Sequence, residues 1–203
     1  IYISNVSLVL DTLGLWEYFS PRVSTIYLPN ENKPMLPSIL SDSICSLLEG
    51  QQKVAFVMEA VVREGQVISI QFSNQVIKLN RNYVYDSEEL ESDTYYKQLF
   101  QVVREMNKKY PYLREREVKD SHEVVEYLML FMNHQVAKRL QSKKEGILRE
   151  MIKSASSLEN GLPAEVETFM KYWGGSSTYV DASSETSHGG HSLLGLDVYT
   201  QIT

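Results

Sequence analysis

Residues 53–80 read KVAFVMEAVVREGQVISIQFSNQVIKLN. Two runs rich in β-branched and aromatic residues, Val54–Val62 and Val67–Leu79, flank Arg63-Glu64-Gly65-Gln66. Such residues suit a pleated, half-buried surface. Gly65 can take the positive φ that a tight turn needs. The stretch therefore predicts an antiparallel β-hairpin.

Upstream, Ile1–Val9 alternates Ile1, Ile3, Asn5 against Tyr2, Ser4, Val6, which predicts a strand. Asp11–Phe19 predicts a short helix or turn, bounded by Pro21. Tyr27–Pro37 holds Pro29, Pro34 and Pro37. Proline fixes φ and donates no backbone hydrogen bond, so an ordered extended loop is expected there rather than a sheet strand. Pro37 and Ser38 then open a short helix through Leu48 with an apolar stripe of Ile39, Leu40, Ile44, Leu47 and Leu48.

Downstream the period changes from two to helical. Asp93–Tyr110 carries Leu99, Val102, Val103 and Met106 on one face and stops before Pro111. Asp120 or Ser121 can cap a helix to about Leu140, with Val124, Val125, Leu128, Phe131, Met132 and Val136 recurring at helical spacing. Glu145–Ala155 and Pro163–Trp173 predict two more short helices. Gly174–Gly190, rich in Gly, Ser and Thr, predicts a flexible surface loop. Strands first and helices later, without βαβ alternation, predict an α+β fold: a mixed or antiparallel sheet with a central hairpin, covered by helices.

Composition narrows function less than fold. Hydrophobic residues make up 43% and charged residues 23% of 203 positions, and the net charge is −6. A small DNA-binding module is usually basic, although a basic channel within an acidic molecule remains open. No apolar run approaches the ~20 residues of a membrane span, so no membrane partner is expected. The lone Cys45 reads as a buried apolar residue and suits a reducing, cytoplasmic or otherwise intracellular setting. The strand-like opening without an initiator Met and the abrupt end at Thr203 read as a chain entered and left partway through a fold.

Most chemical motifs are missing. His122, His134, His188 and His191 lack the convergent spacing of a zinc site. The Gly pairs at 174–175 and 189–190 lack a nucleotide-binding context. The acidic run Ser87–Asp93 reads as solvated surface. Lys138, Arg139, Lys143 and Lys144 either complement a helix dipole or touch nucleic acid. Thirteen tyrosines could stack on bases or simply pack.

One segment carries more. Tyr27-Leu28-Pro29, Pro34-Met35-Leu36-Pro37, Leu40-Ser41-Asp42 and Cys45-Ser46-Leu47 resemble the pattern Y-[FL]-P-x4-P-M-L-P-x2-L-S-x3-C-S-L of the ribonuclease II/ribonuclease R family of 3′-to-5′ exoribonucleases. Tyr83-Val84-Tyr85-Asp86 is similar to the family's L-T-Y-D-like turn. Residues 126–133, EYLMLFMN, resemble E-E-x-M-L-L-A-N. Residues 191–203, HSLLGLDVYTQIT, resemble H-F-G-L-A-L-x-x-Y-T-H-F-T, which in the family leads into S-P-I-R-R. The likeness runs over residues 1–203 in family order, so one partial RNB-like exoribonuclease catalytic domain, truncated at both ends, is expected.

The resemblance implies single-stranded RNA as substrate, an RNA-degradation complex as a setting, and Mg2+ or Mn2+ held by an aspartate cluster. In the family that cluster precedes the strand matching Ile1–Ser7, and the catalytic arginine follows the position of Thr203. The chain alone is therefore expected to be inactive, with its metal ligands elsewhere. Three RNA-contact positions carry over. Tyr27 matches a tyrosine that stacks near the RNA 3′ end. Tyr85 matches one linked to choosing RNA over DNA. Glu126 matches the first glutamate of E-E, with Tyr127 replacing the second. Asn5 stands where the family has Asp in I-A-D-V-S. These departures keep an alternative open: a non-catalytic RNA-binding or scaffold protein on the same fold.

Overall fold

The computed structural model describes residues 1–18, 25–113, 116–153, 175–184 and 189–202. The chain divides into two compact units, residues 1–102 and 103–203. Helices and antiparallel sheets coexist without parallel crossovers between the named strands, so the α+β expectation is met.

In the first unit, β4 (Gln52–Arg63) and β5 (Gln66–Lys78) form the expected hairpin. Both central turn residues have positive φ, 50° at Glu64 and 72° at Gly65, the backbone twist that favours tight hairpins. Pairing skips Ile68 between Val61↔Ser69 and Val62↔Val67, which makes a β-bulge. Ala55 and Val57 are fully buried on the central strand, and Phe56 stacks on Phe72 with centroids 5.8 Å apart. β1 (Tyr2–Ser4) adds antiparallel to β4 through Tyr2↔Val57 and Ser4↔Ala55.

The strand expected through Val9 ends at Ser4. Asn5 turns the chain into helix α1 (Val6–Leu13) because its side chain accepts from the Leu8 N–H at 3.0 Å, capping an otherwise orphan donor. Gly14, at φ 62°, closes the helix. α1 packs Leu10, Val6 and Val9 against Leu36, Leu40 and the buried Cys45. Several fixed positions of the proline-rich pattern therefore serve this small core.

Two strands occur where an extended loop was expected. β2 (Ile26–Tyr27) and β3 (Asn32–Lys33) pair as Ile26↔Lys33 and Tyr27↔Asn32. Pro29 and Pro34 lie just outside this short ladder, where no donor is required. The helix after Pro37 is one wide turn, Ile39–Ile44, in which the Cys45 N–H reaches the Leu40 carbonyl at 2.8 Å. It stops short of Leu48. The Lys53 ammonium donates to the carbonyls of Ser43 and Ile44 at the end of this turn.

The acidic run is exposed, as expected, but organised. Ser87 caps α2 (Glu88–Ser92), whose glutamates sit at the favourable positive end of the helix. Asp93 then caps α3 (Thr94–Lys109) through the Tyr96 N–H at 2.8 Å. Val103 and Met106 are buried as expected, whereas Leu99 and Val102 are exposed.

In the second unit Asp120 caps α4 (Ser121–Lys143) through the Glu123 N–H at 2.9 Å. The helix expected at Glu145–Ala155 is instead a strand, β6 (Ile147–Lys153). Lys144, at φ 55°, closes α4, and β6 pairs along its whole length with β7 (Gly175–Asp181). β7 also replaces the start of the expected Gly/Ser loop, because a long-range ladder outweighs local composition. The helix expected at Pro163–Trp173 and the histidine at 188 lie outside the described residues. Ala137, Leu148 and Val198 form a core that joins α4, β6 and the C-terminal segment.

Candidate RNA-contact site

In the first unit the hairpin delivers the chain into a braced loop. After Lys78, the Gly50 N–H donates to the Leu79 carbonyl at 2.8 Å. Asn82 makes a three-part clasp. Its Oδ1 accepts from the Glu49 N–H at 2.6 Å, its Nδ2 donates to the Leu47 carbonyl at 3.0 Å, and its N–H donates to the Glu49 carboxylate at 3.1 Å. The clasp fixes the loop against the tail of the Cys45-Ser46-Leu47 motif.

The next residues are held from the other side. The Arg81 guanidinium lies 5.5 Å from the Tyr83 ring centroid and pairs with Glu89. Tyr83 Oη donates to Asp93 Oδ2 at 3.0 Å. The Tyr96 N–H is the main cause that holds the Asp93 carboxyl below its usual range; the Tyr83 hydroxyl assists. Between these anchors Asp86 takes φ 53° and Tyr85 stands half exposed, at 50%. Such an exposed ring on a restrained backbone can present a flat face or a hydroxyl to a ligand without much further ordering.

Tyr27 sits on β2 opposite Asn32, with the Leu28 N–H closing on the Glu31 carbonyl at 2.9 Å; its side chain lies outside the described residues. Glu126 belongs to the second unit, on α4, where its Oε1 accepts from Arg116 Nη2 at 2.8 Å. This pair is solvent-accessible, and pairs of that kind contribute at most about 1 kcal/mol. Tyr127, the other half of the altered E-E pair, is fully buried, and its hydroxyl donates to the Tyr110 carbonyl at 3.3 Å. Tyr127 is therefore a core residue.

Sequence reading missed a polar chain in the second unit that runs from the buried Tyr112 and His134 to the exposed Asp197. Tyr112 Oη lies 2.7 Å from His134 Nδ1, and His134 Nε2 lies 2.7 Å from Asp197 Oδ1. A carboxylate acceptor at Nε2 assigns that nitrogen the proton, so Tyr112 donates to Nδ1. Burial pushes the Tyr112 hydroxyl up to about 12. Burial also holds the His134 imidazole below its ordinary value, partly opposed by Asp197. Next to this chain, Asn133 Nδ2 donates to Tyr199 Oη at 3.0 Å and its Oδ1 accepts from the Ile202 N–H at 3.2 Å. The Arg149 N–H donates to the Tyr199 carbonyl at 2.8 Å, and Thr200 Oγ1 donates to the Ile147 carbonyl at 2.7 Å. Together they pin residues 197–202. The available signal was the polar pair Asn133-His134 inside an otherwise apolar helical stripe.

His191 is buried against Tyr199, with centroids 5.0 Å apart. Gly189 has φ 59°, and a Cβ there would meet Leu148 Cδ1 at 2.7 Å. The Gly189-Gly190 pair thus serves close packing.

Residues 13–93, which include the proline-rich motif, the hairpin and the Tyr85 loop, match the family profile of the RNB domain. Over these residues the chain is similar to the RNB domain family. Among curated relatives, Exoribonuclease 2 of Vibrio cholerae is 43% identical over 67 residues, 32% of this chain and 10% of that protein. Exoribonuclease 2 of Psychromonas ingrahamii is 62% identical over 32 residues, 16% of this chain and 5% of that one. The matches thus span small fractions of these RNB relatives' lengths.

The backbone extends the RNB likeness further than sequence identity does. RNase R of Mycoplasma genitalium, solved with double-stranded RNA, superposes on 100% of this chain and 48% of its own, with a TM-score of 0.71 at 16% identity. Yeast Ssd1, a pseudonuclease, superposes on 90% of this chain and 30% of its own, with a TM-score of 0.67 at 13% identity. At these identities the likeness establishes the fold alone. No helix among the described residues is long and apolar enough to cross a membrane.

Proposed function

We propose that residues 1–203 form the middle of an RNB-type catalytic domain in a hydrolytic, metal-dependent 3′-to-5′ exoribonuclease that acts on single-stranded RNA. The observation that carries this reading is the RNB match over residues 13–93, within which Tyr85 is held half exposed on a doubly braced loop. Tyr27 would stack near the RNA 3′ end. Tyr85 would sense the ribose, whose 2′-hydroxyl distinguishes RNA from DNA. Glu126, restrained by Arg116, would contact a ribose from the second unit.

A bound Mg2+ or Mn2+ would activate water and offset charge on the phosphodiester. Within either unit taken alone, the described residues bring no three acidic, histidine or cysteine side chains into ligating range. Asp11 accepts from the Trp16 indole, and Asp93 is engaged by Tyr83 and Tyr96. The family resemblance assigns the metal's ligands to residues outside this chain. The proposal places the whole protein inside the cell, in an RNA-degradation complex.

The test uses the full encoded protein and 5′-labelled single-stranded RNA. A ladder that shortens from the 3′ end and is abolished by EDTA is expected, and Tyr27→Ala should lengthen the final product. RNA binding without any shortening would sink the exonuclease reading and favour the second one: an RNA-binding protein on the same fold that does not cut. Asn5 motivates that alternative. Its amide Nδ2 donates to Asn74 Oδ1 at 2.9 Å while its oxygen caps α1. An aspartate could cap the helix but could not make that donation.

A further inference from the structure

The strands β6 and β7 turn one face to the core of the second unit. Leu148 and Val180 pack there with Ala137 and Val198. Side chains alternate along a strand, so Ile147, Arg149 and Met151 of β6 lie on the opposite face, against Asp181, Tyr179 and Ser177 of β7.

On that outer face Arg149 and Tyr179 are direct cross-strand partners. Tyr179 is 67% exposed, and its side chain makes no hydrogen bond or ring contact among the described residues. Tyr112, Tyr127 and Tyr199 of the same unit are buried against other rings. Tyr179 therefore holds a large aromatic surface in water, on a strand that fixes its backbone.

Arg149 is anchored beside it. Its backbone N–H donates to the Tyr199 carbonyl at 2.8 Å, its Nε to Ser177 Oγ at 3.0 Å, and its Nη1 to Gln201 Oε1. A guanidinium carries five N–H donors. Two are used here, and the rest, with the whole of Nη2, stay open to a ligand. Arg149 forms no ion pair among the described residues. Asp181, farther along the same face, is engaged by the Ser183 N–H at 2.8 Å and the Ser183 hydroxyl at 2.7 Å. The guanidinium is thus ordered before any ligand arrives, which lowers the cost of binding.

An aromatic ring and a cation side by side on a sheet suit single-stranded nucleic acid, whose bases stack while its phosphates pair with charge. Directly opposed residues have Cβ atoms roughly 4.5–5.5 Å apart, close enough for both to serve one nucleotide. We propose that Tyr179 and Arg149 bind one nucleotide of single-stranded RNA, with its base on the ring and its phosphate on the guanidinium. The inference rests on the reading that this protein handles RNA, and it adds a contact separate from Tyr27, Tyr85 and Glu126.

The test is fluorescence-anisotropy titration of the full encoded protein with single-stranded RNA across a salt series, in EDTA so that the strand stays intact. Tyr179→Ala should weaken binding about 5- to 150-fold and leave the slope of log K against log salt unchanged. Tyr179→Phe keeps the ring and should retain the affinity. Arg149→Gln should lower that slope by about 0.7 and weaken binding about 5-fold at 0.1 M salt relative to a 1 M reference. Tyr95→Ala removes an 81% exposed ring from α3 and, as the control, should change neither quantity. A strand carrying 2-aminopurine should be quenched by the unsubstituted and Tyr179→Phe proteins and not by Tyr179→Ala.

A loss in Tyr179→Ala no larger than in Tyr95→Ala, equal losses in the Ala and Phe variants, or an unchanged slope in Arg149→Gln would overturn the site. RNA binding that ignores Tyr179 would remove this site alone. No RNA binding by the unsubstituted protein would remove both the site and the RNA reading beneath it.

Discussion

The two units solve the same problem with different bonds. The first is organised by a hairpin with a tight turn, capped short helices, and a loop that Asn82 clasps to Leu47 and Glu49. Its polar bonds lie mostly near solvent. The second is held largely by two buried polar side chains, Asn133 and His134, whose partners lie far along the chain. Asn133 reaches Tyr199 and Ile202 across 66 and 69 residues, and His134 reaches Asp197 across 63. Bonds near solvent position an exposed ring, whereas buried polar side chains pin a whole segment. The two designs should therefore fail differently when a polar group is removed.

The largest effect is expected from Asn133→Leu. Asn133 is fully buried, and its loss leaves Tyr199 Oη and the Ile202 N–H without this partner. Each buried group stranded in this way costs about 1–3 kcal/mol, so roughly 2–6 kcal/mol of destabilisation is expected for the two. Hydrogen exchange should show protection lost around residues 147–151 and 197–202 and largely kept in the hairpin. Equal loss in both units would break the distinction drawn between them.

Next comes pH. Burial holds the folded-state His134 imidazole below its ordinary value, so below about pH 6.5 the unfolded chain binds more protons than the folded one. Stability must then fall as pH drops through that value. Asp197 is depressed chiefly by its bond to His134, and a depressed carboxylate loses its contribution at still lower pH. Urea midpoints for the second unit should decline from pH 7 towards pH 4, and His134→Gln should flatten the upper part of that decline. An unchanged profile in His134→Gln would remove the imidazole as its source.

This contrast also explains what the sequence revealed. The hairpin, α3 and α4 were legible because periodicity, caps and turn residues lie within a few positions of one another. The proline-rich motif was legible as a pattern, but its roles were not. Leu36, Leu40 and Cys45 are core partners of α1, and only the structure separates them from Tyr85. β6 and β7 were misread as a helix and a loop because each strand is specified by the other, across more than twenty intervening residues. The Tyr112–His134–Asp197 chain escaped for the same reason, since His134 considered alone offers no hint of partners from two other segments.

A smaller effect is expected at the clasp. Asn82→Ala removes its two side-chain bonds to Glu49 and Leu47. Because these are exposed, the stability loss should be under about 1 kcal/mol. Its consequence should instead fall on binding. With the loop less restrained, ordering Tyr85 on a ligand costs more, and RNA affinity should drop about as much as for Tyr85→Ala. Full affinity in Asn82→Ala alongside reduced affinity in Tyr85→Ala would show that the ring acts without the brace.

The smallest effect has the opposite sign. Glu64 holds φ at 50°, a left-handed conformation that an ordinary side chain adopts at some cost. Asparagine tolerates it better, and Asn-Gly is a favoured pair for a tight hairpin turn. Glu64→Asn should therefore stabilise the first unit by roughly 0.5–1 kcal/mol, read as a rise in the urea midpoint with an unchanged slope. The gain should appear as slower exchange along β4 and β5 and leave the His134-dependent pH profile untouched. A gain shared by residues 197–202 would mean that the local bonds of one unit also set the stability of the long-range network in the other.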